Sequence, residues 1–158
     1  MTSWGNVYCA ASFPEGKGQH HRAALGLVAV PAEEADPARE RCTVTPGAVT
    51  NPQAVAFAVL YALDLLAGKP AVLWVNIDCV AMNPRDAESR LAFNQKYNVS
   101  HEPPPAFEAL KNTLAARLLR TGSEIRWLPD SADNPHFARA KQIATARINA
   151  PARARSSP

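Results

Sequence analysis

Residues 50–77, T-N-P-Q-A-V-A-F-A-V-L-Y-A-L-D-L-L-A-G-K-P-A-V-L-W-V-N-I, contain a helix start, a helix stop and a strand in direct succession. Thr50 or Asn51 can cap the first free amides of a helix, and Pro52 fits the first turn without losing a hydrogen bond. Gly68 is suited to end it. Between them Asp64 is the single charged side chain, so the helix is apolar on nearly every face and must be covered on more than one side. It is either central to the fold or meets a partner. Residues 70–77 then run on as the continuous apolar stretch of a strand buried on both faces, the habit of parallel strands joined by helical crossovers.

Working outward toward the N-terminus, residues 5–12 (G-N-V-Y-C-A-A-S) read as a strand ended by the loop-forming cluster F-P-E-G-K-G at 13–18. Residues 22–30 are a second apolar run closed by Pro31, and residues 39–45 roughly alternate charged and apolar side chains. Three successive strands of this kind make an antiparallel meander. Toward the C-terminus, 85–97 is helical and is broken by the prolines of 101–105. Residues 106–119 repeat Phe107, Leu110, Leu114 and Leu118 at helical spacing up to Gly122. A short strand at 124–128, a polar loop at 129–135 and a last helix at 135–148 complete the order.

The 158 residues and 47% hydrophobic content suit one domain, placed at 1–150, with a disordered basic tail at 151–158. The longest apolar run, 54–63, is far short of the roughly 20 residues that span a bilayer. No basic-then-apolar leader opens the chain, so a cytoplasmic protein without membrane contact is expected. Cys9, Cys42 and Cys79 have neither disulfide-framework nor zinc-site spacing and are expected as reduced core thiols. The net charge of +3 is uneven. From residue 134 onward there are five cations and no acids, leaving twelve cations against fourteen acids before it.

The order of elements, and several local segments, resemble the ribonuclease H family over roughly residues 5–150. Val7-Tyr8-Cys9-Ala10-Ala11-Ser12 looks like the family's opening strand, which usually ends Thr-Asp-Gly-Ser, and residues 24–30 look like its Gly-rich second strand. Thr50-Asn51-Pro52-Gln53-Ala54-Val55 is similar to the Thr-Asn-Asn-x-x-Glu of the first helix. Residues 73–80 resemble the Thr-Asp-Ser-x-Tyr-Val strand end, and 106–127 the helix and strand before the family's catalytic His loop. The resemblance implies an α/β fold whose mixed five-stranded sheet, a three-strand antiparallel meander plus two parallel strands, is flanked by helices.

The family's chemistry uses carboxylates, because two Mg²⁺ ions roughly 4 Å apart clamp the attacking water and the leaving oxygen. Carried over, the first Asp falls on Ala10, the helix Glu on Val55, the second Asp on Asn76, the last-helix Asp on Lys141 and the mobile-loop His on Ser131. On that ground the chain is expected to be no enzyme but a pseudo-nuclease with no metal or cofactor. A two-residue slip would put Asp78 at the second Asp position, and a relocated site could draw on Asp78, Asp130 and Asp133, although loop aspartates usually form solvated turns.

Three functions compete. The leading expectation is a nucleic-acid-binding module for RNA/DNA hybrid, duplex or single strand that does not cleave. Ser12, Asn51, Gln53 and Asn76 would face the groove by resemblance, and Arg139, Lys141 and Arg147 would supply charge. The second is a structural or protein-interaction subunit, or a homodimer, that uses the uncharged side of residues 54–66. A nuclease with a relocated carboxylate site is third. His20-His21 reads as a solvated loop pair, Gly16 and Gly18 as turn residues, and Trp74 and Trp127 as a cross-strand aromatic pair packed in the core, the alternative being an exposed base-stacking platform.

Overall fold

A computed structural model describes residues 4–14, 20–33, 37–97, 106–130 and 132–150. Strand β1 (Trp4–Ser12) pairs antiparallel with β2 (Ala24–Pro31), and β2 antiparallel with β3 (Arg39–Val44). On its other side β1 pairs in parallel with β4 (Val72–Val75), which pairs in parallel with β5 (Glu124–Trp127). The sheet order is β3-β2-β1-β4-β5. Helices α1 (Asn51–Leu66), α2 (Pro84–Tyr97), α3 (Phe107–Thr121) and α4 (Pro135–Ile148) complete the fold. The mixed five-stranded α/β architecture is the one expected from the sequence.

Helix α1 begins in a capping box. The Thr50 hydroxyl accepts from the Gln53 amide at 3.3 Å while the Gln53 side-chain oxygen accepts from the Thr50 amide at 2.7 Å. It ends with Ala67 and Gly68 both in the left-handed region. Its one charge, Asp64, pairs with Arg117 of α3 at 2.7 Å. Alternation along β1 divides the core. Val7 and Cys9 turn toward α1 and α3, with Val55, Val59, Leu63, Leu73, Leu114 and Leu118. Tyr8 and Ala10 turn toward α4 with Val28 and Ala140.

Helix α4 lies against β1, β2 and β3, and small residues let it come close. Gly26, paired with Ala10 across β1 and β2, is so near the helix that a Cβ there would lie 2.1 Å from the Ala140 carbonyl oxygen.

Two expectations fail at β4. The strand is not buried on both faces: Val72 and Trp74 are half-buried, because α4 lies mainly over β1, β2 and β3. Their side of the sheet is finished by polar and aromatic neighbours. The Trp74 Nε1–H donates to Asn6 Oδ1 at 2.8 Å, its ring stacks on Tyr8 at 6.4 Å, and the Arg126 guanidinium lies 5.8 Å from it. Nor do Trp74 and Trp127 pair. The register sets Trp74 opposite Arg126 and Val75 opposite Trp127, so the two indoles point to opposite faces.

Among the described residues no helix is long and apolar enough to cross a membrane. The thiols differ from expectation, because Cys9 alone is buried while Cys42 and Cys79 are exposed. Burial pushes the Cys9 thiol well above its ordinary range, which removes the reactive thiolate. Titrating the native protein with a thiol reagent should therefore label Cys42 and Cys79 promptly and Cys9 only after denaturant is added. Prompt labelling of all three would place Cys9 outside the core.

Candidate functional site

Parallel strand β4 ends at Val75 while its neighbour β1 runs on to Ser12, and α4 packs beside these strand ends. Asn76 follows β4 directly and is half-buried; its side-chain amide donates to Asp130 Oδ1, in the loop after β5, at 3.2 Å. Asn134 caps α4 by accepting from the Phe137 amide at 2.9 Å. Farther along that helix, Lys141 reaches back so that its ammonium donates to the Ala11 carbonyl of β1 at 2.6 Å. Asn76, Asp130, Asp133, Asn134 and Lys141 line one cavity of about 250 Å³.

Burial lowers the proton affinity of Lys141, and the negative charge of Asp130 partly offsets that. The Lys141 side chain is exposed overall, and what sets it apart from other surface lysines is the anchoring of its ammonium on the Ala11 carbonyl.

The remaining positions carried over from the resemblance are distributed otherwise. Ala10 is 0% and Val55 1% exposed, the first packed under α4 and the second in the core beneath α1. The Ser12 hydroxyl shares a 3.0 Å hydrogen bond with Thr145 of α4. Asn51 opens α1, and Gln53 is engaged in the capping box. Ser131 lies outside the described residues, as does the tail at 151–158.

Arg139 and Arg147 lie elsewhere, because two residues along a helix turn the side chain by roughly 200°. Both line a second groove of about 650 Å³ between α4 and β3, with Glu40, Arg41, Cys42 and Gln142. Arg139 grips Glu40 with two bonds of 2.9 and 3.0 Å, and these hold the Glu40 carboxyl below its usual range. The cations expected to act together are therefore divided between two faces of one helix.

A pair of Mg²⁺ ions requires several hard oxygen ligands converging on one cavity. Here two of the four positions are buried and apolar, one is an amide bonded to Asp130, and one is an ammonium. Among the described residues no three His, Cys, Asp or Glu side chains form a group that could hold a metal. These residues do not fit the two-ion centre, and no step through one is derived. Asp130 and Asp133, read from sequence as solvated turn-formers, do line the pocket. Their i, i+3 placement just before α4 was the available signal.

No protein-family model matches the chain, and no curated protein matches it. Solved structures do. LC9-RNase H1, a type 1 RNase H with the type 2 active-site motif, superposes with a TM-score of 0.65 at 16% identity, over 94% of this chain and 74% of that one. RNase H1 from the halophilic archaeon Halobacterium salinarum NRC-1 gives 0.56 at 19% identity, over 90% and 95%. LC11-RNase H1 in complex with an RNA/DNA hybrid gives 0.55 at 17%, over 89% and 95%.

The fold is thus ribonuclease H-like. At such identities the likeness establishes the fold and nothing finer. It does overturn one expectation: the matched structures are ribonucleases H1, so missing carboxylates at four positions do not remove this chain from the enzymes.

Proposed function

We propose that this chain binds nucleic acid, with the phosphate backbone of an RNA/DNA hybrid or duplex lying across the ends of β1 and β4. The observation that carries the reading is the Lys141 ammonium, fixed on the Ala11 carbonyl at 2.6 Å inside the pocket shared with Asn76. An ammonium already fixed by a hydrogen bond loses less freedom on meeting a phosphate than a mobile surface lysine does, and it needs no divalent ion to do so. Asn76 adds an amide for phosphate or sugar oxygens. Arg139 and Arg147 line the separate groove between α4 and β3, and Arg153 and Arg155 follow in the sequence as further cations for phosphates. The ribonuclease H1 structure that holds an RNA/DNA hybrid lends this ligand class its support.

The test is a titration of labelled single strands, duplex DNA and RNA/DNA hybrid at two salt concentrations, with EDTA or Mg²⁺ present. Hybrid or duplex should bind under both ion conditions. The logarithm of affinity should fall with that of salt at about 0.9 per phosphate neutralised, and removing residues 151–158 should flatten the slope by up to about two. No binding to any nucleic acid at low salt would discard the reading in favour of a protein partner.

Cleavage of the bound hybrid is the second reading, favoured by the two carboxylates, Asp130 and Asp133, that line the same pocket beside Asn76. Product formation that disappears in Asp130→Asn would carry it.

A further inference from the structure

Between the last turns of α1 and the β3 side of the sheet, an apolar slot stays open to solvent. Leu65 of α1 is 45% exposed, and with Trp4, Leu27 and Ala29 it walls a space of about 80 Å³. The rim is cationic. Arg39 and Arg41 stand opposite Ala29 and Leu27 in the ladder, which turns both side chains to the α1 face, and both line the slot. The Arg39 guanidinium lies 5.3 Å from the Trp4 ring, and Arg41 donates to the Glu40 carbonyl at 2.8 Å. Among the described residues neither arginine forms an ion pair. Glu40, between them, is turned to α4 and held by Arg139, while Asp64 of α1 is held by Arg117. Glu33, in the connection before β3, is exposed and lines no part of the slot.

Size and charge together restrict the occupant. A benzene ring needs a cavity of roughly 150 Å³ and small-molecule sites begin near about 300 Å³, so 80 Å³ suits the end of one aliphatic side chain. A second copy of this chain, related by a two-fold axis, would bring Arg39 and Arg41 against their own copies, where like charges repel. We propose that the slot docks a segment of another protein in which one leucine is flanked by aspartates or glutamates. The leucine fills the slot, and the carboxylates meet Arg39 and Arg41, whose planar guanidinium forks match a carboxylate with two parallel hydrogen bonds. The slot opens on the α1 face of the sheet and the pocket of Lys141 on the α4 face, so this docking does not depend on nucleic acid.

The test is a fluorescence-anisotropy titration of the full chain against a labelled peptide, Asp-Ser-Asp-Leu-Asp-Ser-Asp, and two relatives, one with serine for the leucine and one with lysine for every aspartate. Wild type should bind the acidic leucine peptide. Loss of the leucine should weaken binding by roughly 10- to 100-fold, the effect of one buried aliphatic group, and the lysine peptide should not bind. Arg39→Gln combined with Arg41→Gln should weaken the acidic peptide by about 3- to 30-fold. Leu65→Ser should weaken it as well, while leaving any hybrid binding unchanged within about 2-fold. No binding of the acidic leucine peptide at millimolar concentration, equal binding of the lysine peptide, or binding that ignores the arginine and Leu65 changes overturns the proposal. The three peptides are compared on wild type, so the outcome does not hang on a variant that fails to fold. Self-association that Leu65→Ser abolishes and the peptide does not disturb would assign the slot to a second copy, and hybrid that competes with the peptide and is weakened by Leu65→Ser would assign it to nucleic acid. Either result overturns the docking of an acidic segment.

Discussion

Gly26→Ala should lower the free energy of unfolding by about 3 kcal/mol, read as a shift of the urea midpoint at unchanged slope. The added methyl would lie 2.1 Å from the Ala140 carbonyl oxygen and 3.0 Å from the Ala144 amide nitrogen. Both obstructing atoms are helix backbone, so no rotamer change relieves the clash and α4 must move off β2. Overpacking usually costs about 1–3 kcal/mol, and a rigid obstacle puts this site at the upper end, against roughly 5–15 kcal/mol for a whole domain. Gly47→Ala is the control. A Cβ there meets nothing within 4 Å, so its change should stay within about 0.5 kcal/mol. A Gly26→Ala protein that unfolds like wild type would show that α4 does not approach this closely.

Lys141→Asp should reduce affinity for hybrid by on the order of 100-fold, and Lys141→Met by about 10-fold, in the titration described above. The methionine removes one charge-assisted contact. The aspartate also brings a second carboxylate beside Asp130 and repels the phosphate. Tight binding that ignores both changes would place the ligand elsewhere on the surface.

Stability should respond in the opposite sense for Lys141→Met. The proton affinity of Lys141 is lowered from the ordinary 10.5 because the folded chain partly desolvates the charge of this otherwise exposed side chain, which is a burden on folding wherever the group is charged. As pH rises from the depressed folded value toward 10.5, the unfolded chain binds more protons and this burden is relieved, so the group's contribution turns in favour of folding. The methionine variant should lack that alkaline gain and be the more stable protein at pH 7.

Much of the fold was legible because local chemistry and tertiary packing agree. Thr50, Pro52 and Gly68 mark α1 in the chain as they do in the structure, and the run 39–45 does form a strand, although its first four residues are all exposed rather than alternating. What the chain could not disclose was coverage. An apolar run such as 70–77 does not say whether a helix lies over both its faces, and α4 lies mainly over β1, β2 and β3. Strand parity was equally hidden. Whether Trp74 faces Trp127 or Arg126 turns on a one-residue register, which periodicity within each strand does not fix.

At the site, sequence supplied Lys141 and Asn76 but grouped them with Arg139, though a spacing of two on a helix already separates 139 from 141. Asp130 was discounted because an aspartate in a polar loop commonly makes a local turn. Its neighbour across the pocket, Asn76, is 54 residues away in sequence. The expectation that the chain is no enzyme failed for a different reason: residue types at four positions do not make up the whole of a function.

The closeness of α4 to the sheet also sets the rules for any mutational walk across this surface. Ala10 and Gly26 face each other across β1 and β2, Ala10 has no exposed surface, and Ala140 lies over both. A larger residue at either position pushes on the same helix, so once α4 has yielded to one enlargement the second meets less resistance. The paired enlargements should therefore be epistatic, with a combined loss smaller than the sum of the two single losses. Restoring acidic side chains one at a time would begin with a buried carboxylate at position 10, so the difficult step on such a path is to make room for the first substitution.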